Sequence, residues 1–125
     1  MASIQFVIPG PPRTKKNHNQ LVTTQGRIRV LPSKAWRDWR DVAVLYLRQQ
    51  WVRFRKPSIS WPANCTALFY RERAIGDAVG YYQGLADILE EAGVVENDKW
   101  IESWDGSRLL KDATEPRVEV ILSWN

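Results

Sequence analysis

Apolar and polar residues alternate over residues 4–8, which predicts that the chain opens with a β-strand. The proline-rich segment 9–12 ends this strand, because proline has no N–H to donate to a strand ladder. Residues 21–23 and 27–31 flank a turn at Gly26 and predict a hairpin.

Two later segments carry the 3.6-residue period of amphipathic helices. The first helix begins after Ser33, a candidate N-cap, and its apolar stripe predicts a face in the core. The second is expected over residues 78–92, with Asp77 capping its start and Gly93 in the left-handed position past its end. Its polar stripe contains two glycines, which suggests that something approaches the backbone closely. The first stripe is Trp36, Trp39, Ala43, Tyr46, Leu47 and Gln50; the second helix is expected to bury Ala78, Tyr81, Tyr82, Leu85, Ile88, Leu89 and Ala92 and to display Gly80, Gln83, Gly84, Asp87 and Glu91.

The remaining segments complete a mixed sheet. Residues 64–70 and 117–124 alternate as strands, residues 99–104 predict a short strand, and residues 109–115 are expected to be irregular. The order of elements predicts an α/β chain of the α+β kind, a small domain with one mixed β-sheet packed against two main helices. Its length predicts a single domain over residues 1–125.

Composition excludes several classes of site. No apolar run approaches the ~20 residues that span a bilayer, so we expect no membrane partner. Residues 1–8 lack the basic start and long apolar stretch of a signal peptide, so we expect a cytoplasmic location. A single cysteine, Cys65, excludes an intrachain disulfide, and a single histidine, His18, excludes a multi-histidine metal site. No convincing Ser-His-Asp set or phosphate-binding glycine loop is present.

The whole chain has a net charge of +4, and its basic residues concentrate in the first half. A basic face suits nucleic acid, although it is equally typical of an ordinary soluble surface. The loop containing Arg13, Lys15, Lys16 and Asn17 is predicted to grip phosphate; the alternative is a solvated loop. The seven tryptophans are expected mainly in the core or a subunit interface, with a minority stacking on nucleic acid.

Carboxylates recur around the second helix, at Asp77, Asp87 and Asp98. Clustered carboxylates repel one another, and a divalent cation is the usual reason for tolerating them. The helix between Asp77 and Asp98 folds the chain back, which would allow the two to approach. Each also has a plainer interpretation: Asp77 as an N-cap, Asp98 as a turn residue and Asp87 as a solvated side chain.

These acids lie in a longer motif, and the chain before it opens with a strand, a Pro-x-Pro-Pro segment and a basic loop. The motif residues are Asp77-Ala78-Val79-Gly80, then Gln83, then Asp87-Ile88-Leu89, then Gly93-Val94-Val95-Glu96-Asn97-Asp98. In these residues and their spacing the chain resembles the RusA family of Holliday-junction resolvases, as a divergent variant. The similarity spans nearly the whole chain.

The resemblance implies a RusA-like domain that acts as a homodimer on branched DNA, the four-way junction. It implies an endodeoxyribonuclease, encoded by a phage or prophage in a bacterial host cell. The cofactor would be Mg²⁺, with Mn²⁺ as a substitute, and no small-molecule cofactor is expected. By the same resemblance Asp77 and Asp98 would be metal ligands, and Asp87 a catalytic carboxylate nearby.

The chain departs from the family motif at four positions. Val79, Gly80, Gln83 and Asn97 stand where the family carries Asp, Asn, Lys and Asp. Glu72 and Glu96 are nearby acids that would compensate for a lost carboxylate. A variant branch of the family shares the pattern of residues 76–81 and 103–108, which implies Asp105 as a replacement metal ligand. Lys99 or Arg73 would stabilise developing charge in place of the missing Lys, with Gln83 and Arg73 also contacting DNA.

Two other functions follow from the same residues. Val79 and Gln83 motivate a catalytically weakened or inactive RusA-like protein that binds branched DNA, with affinity that falls steeply with salt. The tryptophans motivate a structural or partner-binding domain that would have no affinity for any DNA form.

Overall fold

The computed structural model describes residues 1–15, 20–31 and 33–125. The predicted residues Lys16, Asn17 and His18 lie outside that range. The strands are β1 (Ala2–Pro9), β2 (Gln20–Thr24), β3 (Arg27–Leu31), β4 (Ala63–Arg71), β5 (Ile101–Ser103), β6 (Arg108–Lys111) and β7 (Arg117–Trp124); the helices are α1 (Lys34–Val52) and α2 (Ala78–Glu91), with a short 3₁₀ helix at Asp98–Trp100.

Five of these strands form one mixed sheet in the order β1-β7-β4-β5, with β6 pairing along the same edge of β4 as β5. Strand β7 is antiparallel to β1 and to β4, whereas β5 and β6 are parallel to β4. The crossover from β4 to β5 runs through α2, as a parallel connection requires. Strands β2 and β3 form a separate antiparallel hairpin. The predicted fold class, a mixed sheet with two main helices, is confirmed.

The core lies between one face of the sheet and the two helices. Alternate residues of β1, β4 and β7 are buried, including Phe6, Phe69 and Val120, so the period-2 pattern of the sequence sets the face of each strand. Helix α1 is tied to β1 by Gln50, whose side-chain amide both donates to and accepts from the backbone of Val7. None of the described helices is long and apolar enough to cross a membrane.

Several predictions about local structure are wrong. Residues 109–111, expected to be irregular, belong to β6, because residues 108–111 pair with residues 68–71 of β4. Residues 99–100, expected in a strand, belong to a 3₁₀ helix over residues 98–100 that is capped by Asn97. Tyr46, assigned to the core stripe of α1, is 40% exposed, since it lies about 60° around the helix from Ala43 at the margin of that stripe.

The two glycines of α2 are buried, not part of a solvated stripe. A Cβ at Gly84 would lie 2.7 Å from Cζ3 of Trp36, and one at Gly80 would lie 2.6 Å from Oδ1 of Asp77 and 3.4 Å from Cγ2 of Thr14. The predicted close approach to this backbone is confirmed, but neighbouring parts of the same chain make it. Ala78 and Tyr82, predicted to be buried, are only partly so.

Candidate functional site: a pocket beside helix α2

An open pocket of about 420 Å³ lies beside α2 and holds four of the residues selected from the sequence. Its polar lining consists of Lys15, Gln83, Asp87 and Asp98. Its volume falls within the ~300–1,000 Å³ range of small-ligand sites. These four residues come from three separate parts of the chain, so the fold brings them together where the sequence does not.

Helix α2 supplies one wall of the pocket through residues four apart. Val79, Gln83 and Asp87 share one face of the helix, since residues separated by four positions lie one above the other. Val79, at the position where the resemblance implies an Asp, is 55% exposed and lines this wall. One wall thus combines an amide and a carboxylate with an apolar position.

Asp98 reaches the pocket through the turn that ends α2. Gly93 adopts a positive φ of 79°, and Val94 N–H donates to the Leu89 carbonyl at 3.0 Å, so the chain reverses sharply. The backbone N–H of Asp98 then donates to Oε1 of Glu90 at 2.9 Å. Asp98 is therefore fixed beside the carboxyl-terminal end of α2, on the same side as Asp87.

Lys15 places a positive charge in the pocket. Its ammonium forms an ion pair with Oδ2 of Asp87 and lies 5.6 Å from the ring centroid of Trp36. The two side chains are 45% and 41% exposed, so the pair is largely solvated and contributes little to stability. Its significance is electrostatic, because it supplies a cation next to the pocket carboxylates.

Asp77 caps α2 and does not line the pocket. Its Oδ1 accepts a hydrogen bond from the Gly80 N–H at 3.3 Å, and its backbone is extended, as is usual for an N-cap. Asp98 follows the turn at Gly93 and lies in the short 3₁₀ helix, and of these two carboxylates only Asp98 lines the pocket. The approach of Asp77 to Asp98 stays a prediction.

Asp105 and Lys99 also lie outside the pocket lining. Asp105 is exposed in the turn after β5, where its carbonyl oxygen accepts from the hydroxyl of Thr66 at 2.8 Å and its N–H donates to Oδ1 of Asn64 at 2.8 Å. The ammonium of Lys99 lies 5.1 Å from the ring centroid of Trp100. Neither side chain lines the pocket, and the catalytic role predicted for Lys99 and the metal-binding role predicted for Asp105 remain predictions.

Two of the predicted phosphate-binding residues, Arg13 and Arg73, do not line the pocket. Arg13 forms an ion pair with Glu72 at 2.7 Å, and Arg73 is exposed between β4 and α2.

The segment that precedes α2 is fixed by Tyr81, whose hydroxyl donates to the Ile75 carbonyl at 2.9 Å. Burial raises the pKa of Tyr81, so its phenol stays neutral in that position.

Sequence reasoning missed the aromatic wall of the pocket. The rings of Tyr82 and Trp104 are stacked, with centroids 4.8 Å apart and planes at 4°. Both line the pocket together with Ala86 and Ile101. Only the abundance of tryptophan hinted at such a wall, and that abundance fits a core equally well.

The pocket contains side-chain oxygens that could bind a divalent cation. Among residues 1–15, 20–31 and 33–125, no group of three or more His, Cys, Asp or Glu side chains is arranged to hold a metal. The carboxylates of Asp87 and Asp98 and the amide oxygen of Gln83 nevertheless share one pocket. Mg²⁺ is usually held by one or two protein carboxylates with water completing the shell, so this donor set fits it.

Comparison with known families and with curated proteins finds no match for the chain. The resemblance to the RusA family thus rests on the residues that carry it in the sequence.

Proposed function

We propose that this protein is a metal-dependent endodeoxyribonuclease that cuts branched DNA, with its reaction centre in the pocket beside α2. The observation that supports this most is the convergence of Asp87 and Asp98 with Lys15 in one open pocket of a basic chain. Carboxylates suit a hard divalent cation, and an ammonium suits the phosphate of the substrate. When bound, Mg²⁺ or Mn²⁺ supplies an activated water and stabilises the leaving oxygen.

Each polar residue of the pocket has a role in this proposal. Asp98 and Asp87 would hold the metal ion, and the Gln83 amide would contribute a further oxygen. Lys15 neutralises Asp87 in the free protein and contacts the substrate phosphate in the complex. Arg13 and Arg73 bind phosphates outside the pocket, which positions the duplex without reading its sequence.

The same proposal includes a homodimer and a four-way junction as substrate. Two symmetric nicks need two sites, and a two-fold dimer presents two sites related by symmetry. The reaction would take place in the cytoplasm of a bacterial cell that carries the phage or prophage gene.

A second candidate function is branched-DNA binding without cleavage. Two observations favour it: Val79 brings an apolar side chain to the wall of the pocket, and Lys15 already balances the charge of Asp87 without a metal ion. This function requires junction affinity that falls steeply with salt and does not respond to Mg²⁺.

A labelled four-way junction distinguishes the two functions. The nuclease nicks it with Mg²⁺ or Mn²⁺, the Asp98→Asn variant binds it without nicking, and Asp41→Asn behaves as wild type. Asp41 is a suitable control because it is an exposed carboxylate on α1 that pairs with Arg40. Binding without nicking in either metal would replace the nuclease with the second function, and absence of binding would refute both.

Adding a third carboxylate provides a complementary test of the metal site. Val79→Asp brings an acid to the wall that already carries Asp87, so it should tighten Mn²⁺ binding measured by calorimetry. An unchanged Mn²⁺ affinity in Val79→Asp would show that the metal does not bind in this pocket.

A further inference from the structure

The aromatic wall of the pocket is held rigidly. Phe69 lies behind Tyr82 with its ring centroid 6.0 Å away, and Trp104 stacks on Tyr82. The residues on both sides of Trp104 are fixed by Asn64, whose Oδ1 accepts from the Ser103 hydroxyl at 2.6 Å and from the Asp105 N–H at 2.8 Å. A ring fixed by both of its neighbours and by a stacked partner loses little conformational entropy when a ligand binds.

This wall is not an ordinary part of the core. The core aromatics Phe69 and Tyr81 are at most 2% exposed, whereas Tyr82 and Trp104 are partly exposed and face the pocket. A partly exposed indole in a pocket offers a flat apolar surface to a ligand. The neighbouring Ile101 is also apolar, so a flat ring can be buried here.

The polar residues around the aromatic wall indicate which kind of flat ring the pocket would bind. The Gln83 amide can both donate to and accept from the edge of a nucleobase, and the Lys15 ammonium can pair with the attached phosphate. Stacking on aromatic side chains beside a basic group is how proteins bind unpaired nucleotides, since every base has a π-face. A paired base inside a duplex cannot present that face.

We propose that the pocket binds an unpaired nucleobase, stacked against the Tyr82–Trp104 wall with its edge at Gln83. This inference rests on the proposed DNA-binding function and extends it by naming the feature that the pocket recognises. It assigns to the protein a preference for DNA with unpaired nucleotides, such as a single strand or a junction with an opened branch point. Trp104 acts in binding and in substrate choice.

The decisive comparison uses wild-type protein and alters only the DNA. Two labelled single strands of equal length are compared by fluorescence anisotropy, one with normal nucleotides and one with abasic nucleotides at every position. Both carry the same phosphates, so a purely electrostatic interaction binds them equally. We expect the abasic strand to bind about tenfold more weakly, the lower part of the range for loss of base stacking.

Variants then place the effect at Trp104. Trp104→Leu should lose the preference for the normal strand, Trp104→Phe should retain most of it, and Trp100→Leu should behave as wild type. Trp100 is a suitable control because it lies close by in the 3₁₀ helix but does not line the pocket.

The outcomes separate this inference from the nuclease proposal. Equal affinity for the two strands, no binding of either strand, or a preference that survives in folded Trp104→Leu, would each overturn the nucleobase site. Junction nicking with Mg²⁺ is measured on the same samples. Absence of nicking with a retained base preference would refute the nuclease and leave the nucleobase site standing.

Discussion

Substitution of Asp77 separates a capping role from a metal-binding role. The Asp77 carboxylate accepts one hydrogen bond from the Gly80 N–H at 3.3 Å, slightly longer than the usual ~2.7–3.2 Å. Loss of such a cap costs about 1 kcal/mol, and loss of a negative charge at a helix start costs a further ~0.3–0.5 kcal/mol at an exposed position. Asp77→Ala should therefore lower the free energy of unfolding by about 1–1.5 kcal/mol.

Asp77→Asn is the matched variant, because asparagine caps about as well as aspartate and lacks only the charge. It should lose no more than about 0.5 kcal/mol. Urea unfolding followed by tryptophan fluorescence measures both variants, and the chain has seven tryptophans to report on it. In a thermal melt, 1 kcal/mol corresponds to a fall in Tm of about 4 °C for a domain of this size.

Manganese titration of the same variants completes the test. If Asp77 serves α2 alone, Asp77→Asn binds Mn²⁺ as the wild type does, whereas Asp98→Asn does not. The reasoning would be refuted if Asp77→Asn abolished Mn²⁺ binding while its stability stayed within ~0.5 kcal/mol of the wild type. Asp77 would then be a ligand, as the sequence motif implies, and the DNA complex would require a different arrangement around α2.

Three further predictions concern packing, charge and pH. Gly84→Ala should lower the free energy of unfolding in urea by up to about 2 kcal/mol, because overpacking against buried Trp36 costs ~1–3 kcal/mol and the gain in helix propensity is ~1 kcal/mol; a more stable variant would show that the Trp36 ring can move. Lys15→Gln should reduce the slope of log affinity for junction DNA against log salt by about one, and an unchanged slope would remove Lys15 from the phosphate contacts. Burial raises the pKa of the Cys65 thiol, so the folded state keeps its proton while the unfolded chain ionises near pH ~8.5. Stability should then fall by up to ~1.4 kcal/mol per pH unit above that pH, and urea unfolding at pH 8.5–9.5 should show a smaller fall in Cys65→Ala.

The elements that the sequence predicted best are those with local causes. Helix α1 begins after Ser33, whose hydroxyl accepts from the Trp36 N–H at 3.2 Å, and α2 ends before Gly93, whose φ is positive. Strand β7 follows the alternation of its residues. Strand β6 has no such local signal, since Leu109 and Leu110 are adjacent and both are partly buried. Its pairing with β4 decides its conformation, and that pairing depends on the whole fold.

The sequence predicted which residues belong to the candidate site better than it predicted how they are arranged. Lys15, Gln83, Asp87 and Asp98 were all selected from the sequence, and all four line the pocket. The ion pair between Lys15 and Asp87 joins residues 72 positions apart, which spacing alone cannot reveal. Asp77 was selected from the same motif, but it caps α2 and does not line the pocket, so the motif did not give its position.

Lys15 can replace a lysine that the family resemblance implies on α2, at the position where this chain has Gln83. Both side chains line the same pocket. The ammonium group that α2 lacks at Gln83 is therefore supplied by Lys15, in the loop after β1. With two carboxylates and one ammonium, the charged lining has a net charge of −1. A bound divalent ion would change this to +1, and one substrate phosphodiester would then bring it to zero. We infer that a site with two acids and a lysine from another element is balanced for one metal ion and one phosphate, and that a third carboxylate would leave the same complex negatively charged.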